Sequence, residues 1–140
     1  MRITDDASKF NWMLNHFVDD TSGVSDAVAV SSDGLLMAAS NTLDSAGADQ
    51  VAAIISGLVS LGEGTTRFLR FDGLDQIIVA MSRGMLLVST MGTSGCLGVV
   101  TTPDCDMGNV GYQISLLVDW AGKRLTPDLV NELKNLVLAI

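Results

Sequence analysis

The chain has 140 residues, 48% of them apolar, and a formal net charge of −8; its mean hydropathy is positive. An acidic chain with only 5% aromatic residues lacks the basic face that nucleic acid or an anionic membrane requires. Its longest apolar runs, such as 77–81 and 85–88, fall well short of a bilayer span, and the opening MRITDD has no apolar segment of a secretory signal.

These totals predict one domain in the cytoplasm, with no membrane insertion. An apolar excess in so small a chain points to surface buried in an oligomer. Cys96 and Cys105 are too few and too far apart for a common zinc pattern, and both read as reduced thiols, Cys96 in the core.

In residues 6–20, Ala7, Phe10, Leu14 and Phe17 recur at helical spacing, with Met13 and Val18 beside them. Asp5 or Asp6 can cap this helix, and Gly23 lies past its end. Residues 24–32 and 35–40 flank Asp33-Gly34, a pair that tolerates the positive φ of a tight turn, so two antiparallel strands are expected. A second helix is expected over 46–61, stopped by Gly62 and Gly64. Strands over 75–82, 85–91 and 95–101, joined at Arg83-Gly84 and Thr93-Ser94, read as a meander.

Pro103 and Asp104 break the pattern. A third helix then carries Val110, Ile114, Leu117, Ala121 and Leu125 on one side. Thr126-Pro127-Asp128 combines a hydroxyl cap, a first-turn proline and an acid at the positive end of the helix dipole. It starts a short last helix, to about residue 138, presenting Leu129, Leu133 and Leu136.

Both faces of the strands are apolar. Ile77, Val79 and Met81 alternate with Ile78 and Ala80, and Leu87 with Leu86 and Val88. Such a sheet must be covered on both sides. The predicted fold is α/β of the α+β kind: three layers, with helices on both faces of a five-stranded, mainly antiparallel sheet. The order is helix-strand-strand-helix-strand-strand-strand-helix, plus the short C-terminal helix.

The stretch GLVSLGEGTT, residues 57–66, spaces Gly57 and Gly62 like a phosphate-binding loop. Glu63, a carboxylate that would repel phosphate, stands where that loop needs lysine, and no strand leads into it, so the stretch reads instead as small residues in a packed helix followed by a glycine stop. Residues 50–62 carry no charge at all. Sorted at about 100° per residue, Val51, Ile54, Ile55, Leu58, Val59 and Leu61 form a large side expected on the sheet. Ala52, Ala53, Ser56, Gly57 and Ser60 form a small side. Gly57 within a helix costs about 1 kcal/mol relative to alanine, and close approach of a second helix would account for keeping it.

The remaining candidates for chemistry are weak. A calcium loop starting at Asp104 would need acids where Gly108 and Ser115 stand, so Asp104 or Asp106 is read as a helix cap. His16 is the only histidine, and no positioned partner is evident for general-base work. Asp5-Asp6 and Asp19-Asp20 read as solvated helix ends, Trp12 and Trp120 as packing at a helix border, and the methionines as core filling. Nothing singles out one of Arg67, Arg70 and Arg83.

The segments GVSDAVAVSSDGLLMAAS and QIIVAMSRGMLLVSTMGTSGCLGVV, with the small-residue helix between them, resemble the Roadblock family of the dynein light-chain type. The likeness covers about residues 7–122 and is nearest to actinobacterial members encoded beside a sensor-kinase-like protein and a small Ras-like GTPase. It divides the chain into a Roadblock-like domain, 1–125, and a C-terminal helical extension, 126–140, packed on or beside it. It implies a scaffold or regulator of Ras-like GTPases, homodimeric, with no catalytic chemistry, cofactor or metal. In the family the second helix and third strand make the dimer contact. Here these are 46–61 and 75–82, with interface candidates Ala52, Ala53, Ser56, Gly57, Val59 and Ser60 on the helix and Ile78 and Ala80 on the strand. The alternative reading is a small-molecule-sensing domain with a pocket between sheet and helix; few polar residues within the apolar layers tell against it.

Overall fold

The structure, a computed structural model, describes residues 3–138. The elements are α1 (Ile3–Asp20), β1 (Val24–Ser31), β2 (Leu36–Ala39), α2 (Ser45–Leu69), β3 (Gln76–Met81), β4 (Gly84–Thr90), β5 (Gly95–Thr101), α3 (Met107–Arg124) and α4 (Pro127–Leu138). The strands form one antiparallel sheet in the order β2-β1-β5-β4-β3. β2 and β3 are therefore its edges.

The hairpin between β1 and β2 turns at Gly34, whose φ of 85° suits a residue without a side chain. Its amide donates to the Ser31 carbonyl at 2.9 Å. Val30 pairs with Leu36 and Ala29 with Ala38, which leaves Met37 as a bulge that shortens and bends this edge.

Alternation along the strands feeds two cores. Ala27, Ala29, Leu87, Leu97 and Val99 pack with α1, α3 and α4. Val28, Val30, Leu86, Val88 and Cys96 pack with α2. The predicted three-layer, five-stranded arrangement is the one observed. At β3 one face is left open: Ile77 and Val79 pack with the α2 core, whereas Ile78 is 53% exposed and Ala80 is exposed as well.

α4 packs against α1 and β2. Leu129 and Leu133 are buried in the core shared by α1 and α3, while Leu136 stays exposed. The lone Trp120 of α3 is half-buried, stacked on Phe10 at 6.1 Å with the Arg124 guanidinium over its ring. Trp12, expected at a packing border, is 61% exposed.

The second helix differs from expectation. It does not stop at Gly62 and Gly64 but continues to Leu69. Gly62 lies under Leu74 and Ile77, where a Cβ would meet a Leu74 methyl at 3.0 Å. That packing offsets the ~1 kcal/mol helix penalty of glycine. The helix ends instead at Arg70, in the left-handed region (φ 58°), and the Phe71 amide closes on the Thr66 carbonyl at 3.0 Å. Asp44 caps the start, accepting from the Gly47 amide at 2.7 Å. At 25 residues α2 is long and apolar enough, by length and composition, to cross a bilayer, although its apolar residues are interrupted by serines and glycines and form no long unbroken run. Its inner face is nevertheless occupied, with Ala48, Ala52 and Ile55 buried in the fold.

Candidate functional site

Ala52 and Ile55 are both buried and join the sheet residues Val28, Val30 and Val88. The sequence placed Ala52 on the outer, small side; it faces inward. Ile54 and Leu61, expected on the sheet, are 46% and 73% exposed. The cause is close approach. Small residues let α2 sit low on the sheet, so the size of a side chain does not tell which way it points.

Of the other interface candidates, Ala53, Gly57 and Ser60 are exposed, and Ser56 and Val59 are half-buried on the flank of the helix. Ile78 and Ala80 lie exposed on the edge strand β3.

The outer surface of α2 carries a pattern that sorting by size missed. Ile54, Gly57, Leu61, Gly64 and Phe68 recur at steps of three and four. That is the period of a helix seam prepared for another helix. Large side chains alternate with glycines. Phe68 is 85% exposed, and Phe71, just past the helix, is 70% exposed. Nothing lies within 4 Å of a Cβ built at Gly57. On the edge strand β3, Ile78 and Met81 are each more than half exposed as well; Met81 shares the α2 side of the sheet with Ile77 and Val79, whereas Ile78 points to the other side. Exposed large apolar side chains gathered along one helix are the kind of surface that suits a partner. The spacing of 54, 57, 61, 64 and 68 carries this pattern in the sequence itself.

The candidates for chemistry are held in other ways. His16 Nε2 meets Asp20 at 2.9 Å and its ring stacks on Trp12 at 4.7 Å, all on the exposed side of α1. Asp106 caps α3, accepting from the Asn109 amide at 3.2 Å. Cys105 Sγ lies 3.6 Å from Met107 Sδ. Burial, and after it the charge of Glu63, push the Cys96 thiol above its ordinary pKa, away from the reactive thiolate. Among the described residues no three His, Cys, Asp or Glu side chains gather where they could hold a metal.

Comparison with known proteins identifies the fold. A family model described as the Roadblock/LC7 domain matches residues 10–101. The crystal structure of a Roadblock/LC7 domain from Streptomyces avermitilis is 33% identical, with a TM-score of 0.74 over 79% of this chain and 92% of that one. MglB of Myxococcus xanthus shares the fold at 16% identity, with a TM-score of 0.75 over 85% and 89% of the two chains. The gliding protein mglB of Thermus thermophilus does so at 14% identity, with a TM-score of 0.73 over 94% and 93%. None of the curated proteins matches by sequence.

Proposed function

The chain belongs to the Roadblock/LC7 domain family, and from that premise we propose that it is a non-catalytic, homodimeric scaffold and regulator that binds a small Ras-like GTPase in a bacterial signalling complex. The observation that carries the dimer is the seam on α2. In an isologous pairing of two copies, Leu61 of one can fill the gap at Gly57 of the other. The absence of charge over residues 50–62 lets two copies of an acidic chain meet there without direct repulsion. Edge strands β3, carrying Ile78 and Ala80, lie beside the seam, and their pairing would remove an exposed apolar edge.

Regulation in this reading is binding. A surface that holds one nucleotide state of the GTPase more tightly shifts its population by the difference in affinity. The resemblance also implies a sensor-kinase-like protein as a further member of the complex. The test is affinity capture with the purified chain from its native cell extract, in GDP and in a non-hydrolysable GTP analogue. A Ras-like GTPase retained in one nucleotide state above the other is expected. Its absence in both states, with the chain intact and dimeric, would contradict the reading.

A further inference from the structure

A half-open cleft of about 630 Å³ lies where α2 passes over the ends of β1, β4 and β5. Volume of this order is that of small-molecule sites. Its floor is apolar: Val30, Ile55, Val59 and Cys96. Its walls carry hydroxyls, with Ser56 and Ser60 from the flank of α2 and Thr93 from the β4–β5 turn. Gly92 stands at the rim with nothing within 4 Å of a Cβ there, which keeps the mouth wide.

The charges select the ligand. No lysine, arginine or histidine lines the cleft among the described residues, so nothing there balances an anion. Two carboxylates do line it. Asp33 is already engaged, with Lys134 Nζ at 2.9 Å and the Ser31 hydroxyl as a second partner. Glu63 has no ion-pair partner among the described residues. It faces a neutral floor, because the Cys96 thiol is held protonated by burial and by Glu63 itself.

We propose that this cleft binds a small organic amine, its apolar body on Val30, Ile55 and Val59 and its ammonium against the Glu63 carboxylate and the neighbouring hydroxyls. The site does not depend on the pairing of two copies. Ser56 and Glu63 lie on the flank of α2, away from Leu61 and Phe68 of the seam, and Ser60 stands between the two, beside Gly57 and Gly64.

Three probes that share the 2-phenylethyl group test it: 2-phenylethylamine, 2-phenylethanol and 3-phenylpropanoate, titrated into the full ¹⁵N-labelled chain by NMR. The amine should shift the amides of Ser56, Ser60, Gly92 and Cys96 saturably. It should bind ~3–5-fold tighter than the alcohol, the size of a partly exposed ion pair, and the acid should give no saturable shift. Glu63→Gln should bring the amine down to the alcohol, and Thr93→Leu, on an exposed position of the β4–β5 turn away from α2, should weaken both. No saturable shift at these amides with the amine, equal binding of all three probes, or an amine preference unchanged in Glu63→Gln would overturn the proposal. Shifts confined to Ile54, Leu61 and Phe68 would overturn it too, while leaving the dimer reading intact.

Discussion

Ile55 of α2 rests directly on Gly98 of β5: a methyl group at position 98 would collide with Ile55 Cδ1. Ile55 is wholly buried, so it has little room to yield, and this contact sets the height of α2 above the sheet. Gly98→Ala should cost ~1–3 kcal/mol by overpacking. In an Ile55→Val background, which removes Cδ1, the same change should cost clearly less. Urea unfolding of the two single variants and the double variant measures the coupling. Strictly additive losses would contradict the contact.

Arg70 ends α2 at a φ of 58°, where an L side chain is strained. Arg70→Gly should raise stability by ~0.5–1 kcal/mol and the melting temperature by a few degrees. A loss of stability would mean that the arginine side chain holds the cap by a contact of its own.

α4 is expected to be part of the folding unit. Leu133 is wholly buried and Leu129 nearly so. Leu133→Ala should cost ~2–5 kcal/mol, and removing residues from Thr126 onward should cost more, exposing the core beneath. Calorimetry showing a full-strength transition after that truncation would make the helix an ornament.

Asp33 joins the β1–β2 turn to α4. The Ser31 hydroxyl, then Lys134, hold its carboxyl below the ordinary carboxylate pKa. A depressed folded-state pKa stabilises the fold above the unfolded-state value, and that contribution is lost as pH falls through the folded-state value. Lys134→Met, which keeps an apolar stem, should therefore lower the melting temperature near neutrality and make no difference at ~pH 2, below the carboxylate range. Added salt should shrink the neutral-pH difference, since the carboxylate is exposed. An equal difference at both pH values would place the effect in packing instead.

Periodicity and turn chemistry made most of the fold legible in the sequence. Asp33-Gly34 marked the hairpin, Thr126-Pro127-Asp128 the last helix, and two-sided apolar strands the three layers. The end of α2 was not legible there. Gly62 reads as a stop in isolation, and only the fold brings Leu74 and Ile77 over it. The inward and outward sides of α2 were misread at Ala52, Ile54 and Leu61 for a related reason. Low seating on the sheet needs small residues inside, so smallness marks close approach without saying to what. The cleft was invisible because its walls come from α2 and two turns far apart in sequence.

The pairing of α2 seams is tested most directly by sedimentation equilibrium of the intact chain, Gly57→Leu and Leu61→Glu. The native chain should be a dimer, and each variant should raise its dissociation constant at least ~30-fold, the loss of about 2 kcal/mol expected of a central contact. Gly57→Leu should at the same time stabilise the isolated fold, by the ~1 kcal/mol that glycine costs a helix, because nothing in the protomer stands in its way. A native chain that remains monomeric at high concentration, or a Leu61→Glu variant that pairs as tightly as the native chain, would contradict the account.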